Sequence, residues 1–154
     1  IKVISVVNTE ELQRALTDQF PNCDVLIMAA AVSDAKPITQ SGKVKKDSYK
    51  ELKLVPTPDL LAEIAKQKTG QVMVGFAAEE KSNLLLEGQR KLVQKGLDLL
   101  YANDISEGSI FGSDQTSGLL IDNSSVTEIT PMSKEQLAKF LLDKVAKRLN
   151  SSNV

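Results

Sequence analysis

With 154 residues, 42% of them hydrophobic and 25% charged, the chain has the composition of one globular domain with a hydrophobic core. A formal net charge of −1 argues against broad binding to nucleic acids or membrane surfaces, and the absence of histidine excludes Ser–His or Cys–His catalysis. One cysteine, no apolar run of membrane-spanning length and no signal peptide predict a cytoplasmic protein without disulfides.

The first part of the chain predicts a strand, a helix and a second strand. Ile1–Val7 is mostly apolar and predicts a buried strand. Asn8 with Glu11 three residues later is a capping-box pattern that predicts the start of a helix. Asp24–Met28 is a short, mainly apolar run, which is typical of a strand buried on both faces of a sheet.

A polar, lysine-rich segment comes next. Ala35–Lys50 is predicted to be a hairpin or flap, and Glu51–Val55 is the strand that returns from it. Thr57-Pro58-Asp59 predicts a helix start, with a threonine cap, a proline at the first helical position and an acid in the first turn. We expect that helix to run to about Lys66.

The second half of the chain continues the alternation of strands and helices. The predicted elements are the strand Gln71–Phe76, the helix Lys81–Lys95 ended by Gly96, the strand Leu97–Ala102, the loop Asn103–Gln115, the hairpin Leu119–Asp122 with Val126–Ile129, and a last helix capped by Ser133 with Gln136. This order predicts an α/β fold: one domain over residues 1–154, with a mostly parallel sheet, helices on both faces, a lysine-rich flap and a C-terminal hairpin.

Ligands of such folds bind in the crevice at the carboxyl ends of the strands. Four segments follow predicted strands and are therefore site candidates: Ala29–Asp34, Pro56–Asp59, Phe76–Glu79 and Asn103–Asp104. The chemistry open to them without histidine is that of positioned charge, which suits phosphoryl and nucleotidyl transfer.

The candidates in the first three of these segments each have two interpretations. Ala29-Ala30-Ala31 would let a flat ligand approach the backbone, or would allow close helix–strand packing. Asp34 suits a ribose hydroxyl or a metal, but also an ordinary turn. Phe76 suits an aromatic wall beside a base, but also a place in the core. Thr57-Pro58-Asp59 could present free helix N–H groups to a nucleotide, or be an ordinary helix start.

The lysines also have two interpretations. Lys43, Lys45 and Lys46 would close over phosphates, or would protect an exposed edge strand from aggregation. Lys91 and Lys95 lie four residues apart on one helix face, where like charges are unfavourable unless an anion lies between them. A triphosphate would be such an anion; the alternative is a solvated face, relieved by Glu87.

The motifs in chain order carry a resemblance. They are Ala29-Ala30-Ala31-Val32-Ser33-Asp34, Lys43-Val44-Lys45-Lys46, Val55-Pro56-Thr57-Pro58-Asp59, Gly75-Phe76-Ala77-Ala78-Glu79, Ala102-Asn103-Asp104-Ile105 and Phe111-Gly112-Ser113-Asp114. Together they resemble the bacterial phosphopantothenate–cysteine ligase family, the synthetase half of the bifunctional coenzyme A biosynthesis protein. The resemblance covers nearly the whole chain and implies a Rossmann-like fold.

The resemblance also implies an activity. The expected reaction is the CTP-dependent ligation of 4′-phosphopantothenate and L-cysteine through an acyl-cytidylate. It implies Lys43 as the catalytic lysine, and it implies nucleotide-binding roles for Met28, Ala29, Ala30, Asp34, Lys43, Pro58, Asp59, Leu60, Leu61, Phe76, Lys91 and Lys95. Magnesium is expected to accompany CTP, FMN is not expected, and the family implies a homodimer.

One departure from the family pattern bears on activity. Members of the family begin with a strand and a Gly-Gly-Thr loop, which this sequence lacks, so we expect the 154-residue chain to be catalytically incomplete. A nicotinamide-dependent enzyme of similar architecture would need a G-x-G-x-x-G pattern, which is also absent from the sequence. A non-catalytic, nucleotide-binding or regulatory relative of the coenzyme A proteins is the alternative function.

Overall fold

The computed structural model describes residues 1–38, 42, 52–106 and 113–151. Seven strands, four α-helices and one short 3-10 helix (Phe20–Asn22) are defined in this part of the chain. They are α1 (Thr9–Gln19), β1 (Val25–Met28), β2 (Ala35–Pro37), β3 (Leu54–Pro56), α2 (Leu60–Ala65), β4 (Val72–Glu79), α3 (Leu84–Gln94), β5 (Leu99–Asp104), β6 (Gln115–Asp122), β7 (Val126–Ser133) and α4 (Lys134–Ser151). None of the described helices is long and apolar enough to cross a membrane.

Five of the strands form one sheet in the order β1-β4-β5-β6-β7. Strand β4 pairs in parallel with β1 and β5, whereas β6 is antiparallel to both β5 and β7. Every strand except β6 therefore runs in the same direction, which confirms the predicted α/β, Rossmann-like fold with a mostly parallel sheet. The carboxyl ends of the parallel strands β1, β4 and β5 lie side by side at the same end of the sheet.

Helices cover both faces of the sheet because the central strands are apolar on both sides. Met73 and Leu100 point to the face that packs against α2 and α3. Val74 and Leu99, their neighbours in sequence, point to the opposite face, which packs against α4. Burial of such side chains stabilises the fold by about 1.5–3 kcal/mol each.

Glycine allows α3 to lie close to the sheet. A Cβ atom at Gly88 would collide with Cδ1 of Ile121 on β6, so any other residue here would force the Ile121 side chain to shift. Gly96 adopts a φ of 61° after the helix, a left-handed conformation that glycine adopts without strain. The predicted end of this helix at Gly96 is therefore confirmed.

Strands β2 and β3 form a separate two-stranded antiparallel sheet, in which Ala35 pairs with Pro56 and Pro37 with Leu54. They are the two arms of the predicted flap. Its lysine-rich part, with Lys43, Lys45 and Lys46, lies outside the described residues, as do Phe111 and Gly112 of the last motif.

Two predictions about the first strands are wrong. Ile1–Val7 is exposed and pairs with no strand in the described part of the chain. An apolar sequence forms a strand only where another strand pairs with its N–H and C=O groups. Strand β1 is an edge strand of the described sheet, and it is not buried on both faces, because Ile27 remains 42% exposed.

Candidate functional site

A cavity of about 280 Å³ lies at the carboxyl ends of β1 and β4. Four segments far apart in sequence line it: the loop after β1, the start of α2, the end of β4 and one face of α3. The lining residues are Met28, Ala30, Ala31, Val32, Ser33, Asp34, Thr57, Pro58, Asp59, Leu60, Leu61, Phe76, Ala77, Ala78, Lys91 and Lys95. The cavity thus brings together every predicted nucleotide-binding residue except Ala29 and Lys43.

Thr57 joins the flap to the loop after β1. Its backbone N–H donates to the carbonyl oxygen of Asp34 at 2.9 Å, and its hydroxyl donates to the carbonyl oxygen of Ser33. The Ser33 hydroxyl donates in turn to the carbonyl oxygen of Ala35 at 2.6 Å. These bonds fix the small-residue wall of the cavity, and they use the Thr57 side chain that the sequence pattern assigned to a helix cap.

The cap of α2 is Asp59, so the prediction that Thr57 caps this helix is wrong. Asp59 Oδ1 accepts from the backbone N–H of Ala62 at 3.2 Å, and Oδ2 accepts from Lys95 Nζ at 2.7 Å. Partial burial would raise the pKa of Asp59, but the hydrogen bonds from Lys95 and Ala62 outweigh it and hold the pKa below its ordinary value. Asp59 is therefore a carboxylate at neutral pH.

Each lysine of the α3 pair binds its own carboxylate. Lys91 forms an ion pair with Glu79, the last residue of β4, and Lys95 forms one with Asp59. Glu87 forms its ion pair with Arg90 at 2.6 Å and interacts with Lys91 only through the weaker, longer-range attraction between their charges. The two lysines are thus held at the cavity wall by charges from other elements, and the solvated-face interpretation is wrong.

Phe76 stands at the boundary between this cavity and a second one. The residue is 36% exposed, and its ring meets Tyr101 edge-on, with the ring centroids 6.1 Å apart and the planes at 74°. The interpretation of Phe76 as an ordinary core residue is therefore wrong. Its exposed part offers an aromatic surface to a bound ligand. Leu60 and Leu61 are buried side chains at the start of α2 and also line the first cavity.

The second cavity, of about 540 Å³, lies on the face of the sheet that α4 covers. Ala29 lines this cavity and not the first, whereas its predicted partners Ala30 and Phe76 line both. A chain of hydrogen bonds is at one side: Tyr101 bonds Thr116 at 2.7 Å, and Thr116 donates to Asn103 Oδ1 at 2.8 Å. Burial raises the pKa of Tyr101, which keeps its hydroxyl protonated.

The candidate segment Asn103–Asp104 does not reach the first cavity. Asn103 belongs to the hydrogen-bond chain of the second cavity, and Asp104 accepts from the backbone N–H and the hydroxyl of Ser106 at 3.0 and 2.7 Å. Strand β5 continues to Asp104, past the predicted end at Ala102, and carries these side chains away from the loop after β1. Thr116 had no sequence signal, because its partners are distant in sequence.

The described residues include neither the predicted catalytic lysine nor a cluster of carboxylates arranged to hold a metal ion. Lys43 lies outside the described residues. Within residues 1–38, 42, 52–106 and 113–151, no group of three or more cysteine, aspartate or glutamate side chains is arranged to hold a metal ion. Asp34 and Asp59 are the carboxylates that line the first cavity, and Asp59 binds Lys95, while Glu79 binds the other lysine of the lining, Lys91.

Comparison with known proteins gives consistent matches. The family model of the DNA/pantothenate metabolism flavoprotein C-terminal domain matches residues 1–149. The coenzyme A biosynthesis bifunctional protein CoaBC of Borreliella burgdorferi is 32% identical over 146 residues, covering 92% of this chain and 37% of that protein. A cysteine/cysteine sulfinic acid decarboxylase of an unknown prokaryotic organism is 33% identical over 150 residues, covering 94% of this chain and 42% of that protein.

Solved structures agree with these sequence matches. The crystal structure of the C-terminal domain of a coenzyme A biosynthesis bifunctional protein CoaBC has a TM-score of 0.75 and 25% sequence identity, over 96% of this chain and 68% of that one. The chain spans less than half of the length of the two curated relatives named above.

Proposed function

The chain belongs to the family of the DNA/pantothenate metabolism flavoprotein C-terminal domain, and on that premise we propose that it acts in coenzyme A biosynthesis as a CTP-dependent ligase. The proposed substrates are 4′-phosphopantothenate, L-cysteine and CTP, and the proposed product is 4′-phosphopantothenoylcysteine. Support comes from the relatives named as coenzyme A biosynthesis bifunctional proteins and from the first cavity.

The proposed reaction has two steps. A carboxylate oxygen of 4′-phosphopantothenate attacks the α-phosphorus of CTP, the bond to the β-phosphate oxygen breaks, and pyrophosphate leaves. The amine of cysteine then attacks the acyl carbon, loses a proton and displaces CMP, which forms the amide. Neither step needs histidine, because in-line positioning and neutralisation of phosphate charge lower the barrier.

The main support for the proposal is that one cavity is lined by two lysines, by the aromatic ring of Phe76 and by small residues of the loop after β1. Lys91 and Lys95 lie on one side, where they would bind the phosphate groups of the nucleotide. Phe76 and the backbone of Ala30 lie on another, where they would contact the cytosine ring. Asp34, at the end of the small-residue loop, is assigned to the ribose side of the nucleotide.

Several parts of the proposal concern groups beyond the described residues. Lys43 would complete the charge around the reacting phosphate as the catalytic lysine of the flap. Magnesium would arrive with CTP and neutralise phosphate charge, without a cage of protein ligands. We also propose that this chain binds no FMN and that it assembles as a homodimer.

The proposal is tested by product formation. The complete gene product is incubated with CTP, magnesium, 4′-phosphopantothenate and L-cysteine, and the amide is detected by mass spectrometry. Lys95→Met should lower kcat/KM by about tenfold or more, because a charge-assisted contact to phosphate is lost. Lys66→Met is the matched control, since Lys66 pairs with Glu63 on α2, does not line the cavity, and should leave the rate unchanged.

The outcomes separate the proposed enzyme from the alternative. Amide formation that requires CTP and depends on Lys95 supports the ligase. Binding of CTP without any amide from the complete gene product would instead favour a non-catalytic, nucleotide-binding role. Absence of both would contradict a nucleotide site in this cavity.

A further inference from the structure

Asp59 uses its two carboxylate oxygens for two separate tasks. Oδ1 accepts from the backbone N–H of Ala62 and caps α2, while Oδ2 accepts from Lys95 Nζ at 2.7 Å. Both Asp59 and Lys95 line the first cavity. One N–H donor of the Lys95 ammonium group is therefore already bound to Asp59, within the cavity that we assign to the nucleotide.

The two lysine charges at this wall are offset by carboxylates, and Asp34 adds a third carboxylate to the cavity lining. Two ammonium groups, of Lys91 and Lys95, face two carboxylates, of Glu79 and Asp59. A polyphosphate binds more strongly to a site with excess positive charge, so at least one of these pairs opposes its binding. The Glu79 side chain is 16% exposed, whereas that of Asp59 is 44% exposed. The pair of Asp59 is the weaker one because solvent screens it more.

We propose that Asp59 competes with phosphate groups for Lys95, so that this ion pair opens when a nucleoside triphosphate binds and re-forms as pyrophosphate leaves. The inference rests on the proposed function, since it takes the anion in the cavity to be a polyphosphate. Asp59 is then a residue that limits polyphosphate affinity and speeds product release, and it is not itself a phosphate ligand. The bond to Ala62 stays in place, because it uses the other oxygen.

The test removes the charge and keeps the cap. Asn is as good a helix cap as Asp, so Asp59→Asn retains α2 while it frees Lys95. Calorimetric titration of the complete gene product with inorganic pyrophosphate, and separately with CTP, should give dissociation constants about fivefold lower than those of the wild type, as expected for loss of one exposed competing pair. Asp59→Ser, which also supplies a cap, is the second variant if the first does not fold.

Two controls separate local competition from a general charge effect. Glu63→Gln removes a carboxylate from the same helix, where it pairs with Lys66 outside the cavity, and should change both constants by less than about twofold. In a Lys95→Met background, Asp59→Asn should no longer change either constant, because the two residues act as one unit.

The results decide between the inference and its premise. Unchanged or weaker binding of pyrophosphate and CTP by Asp59→Asn would overturn the inference, and weaker binding would make the carboxylate a ligand of the nucleotide complex; either result would leave the nucleotide site itself intact. Equal tightening by Glu63→Gln would also overturn it. A wild-type protein that binds neither anion would contradict the proposed function and this inference together.

Discussion

The carboxylate of Glu79, at the end of β4, forms an ion pair with the ammonium group of Lys91 on α3. The pair joins the sheet to the helix at the wall of the first cavity, and both side chains are mostly buried. Removal of one partner from such a pair leaves the other charge partly buried without compensation.

We therefore predict that Glu79→Gln lowers the free energy of unfolding by about 1–3 kcal/mol, as measured by urea denaturation. Glu63→Gln, which breaks the exposed pair with Lys66, should cost less than about 0.5 kcal/mol. Equal effects of the two substitutions would mean that the Glu79–Lys91 pair contributes no more than a surface pair.

Close packing between α3 and β6 gives a second prediction. Gly88→Ala should lower the free energy of unfolding by about 1–3 kcal/mol, because the added methyl group collides with the end of the Ile121 side chain, which is fully buried and would have to shift within the packed core. The double variant Gly88→Ala with Ile121→Val removes the colliding methyl group and should recover most of the loss. If the double variant loses as much unfolding free energy as the two single variants lose in sum, the collision with Ile121 is not the cause of the instability of Gly88→Ala.

The turn between β6 and β7 makes stability depend on pH. Partial burial would raise the pKa of Asp122, but backbone and hydroxyl donors of Ser124 and Ser125 outweigh it and lower the pKa to about 2. Since the folded pKa is below the unfolded one, this contribution is full above about pH 4 and is lost as the pH falls towards 2.

Asp122→Asn should thus lower the free energy of unfolding at pH 7 by about 1–2 kcal/mol, and the difference from wild type should shrink steadily between pH 4 and pH 2. Denaturation at a series of pH values measures it. A difference that stays constant down to pH 2 would mean that the charge of Asp122 is not responsible.

The hydrogen-bond chain at the second cavity gives a fourth prediction. Thr116→Val keeps the shape of the side chain but removes the hydroxyl that joins Tyr101 to Asn103, so it should cost about 1–3 kcal/mol of unfolding free energy. Thr130→Val on the exposed side of β7 is the control and should be nearly neutral. If both substitutions behave alike, the chain of hydrogen bonds does not stabilise the fold.

Local features were predictable because their partners are close in sequence. The capping pattern of Asn8 with Glu11 is confirmed by a bond of 2.9 Å between Glu11 N–H and Asn8 Oδ1. That of Ser133 with Gln136 is confirmed by bonds in both directions. The strands of the central sheet were predictable for a similar reason. A short apolar run indicates a buried strand through its own side chains, without knowledge of its partners.

The features that sequence reasoning missed depend on distant partners. Lys95 and Asp59 are 36 residues apart, so no spacing rule joins them. In Thr57-Pro58-Asp59 both end residues are good caps, and Asp59 is the cap because the Thr57 hydroxyl donates to the carbonyl oxygen of Ser33. The apolar pattern of Ile1–Val7 could not reveal whether another strand pairs with it.

The measurement that tests the central claim most directly is pyrophosphate release from CTP by the complete gene product, with cysteine withheld. The proposed reaction predicts release on addition of 4′-phosphopantothenate alone, because the acyl-cytidylate forms before cysteine reacts, and CMP release only after cysteine is added. A protein that binds CTP but releases no pyrophosphate with 4′-phosphopantothenate, whether or not cysteine is present, would contradict the ligase function.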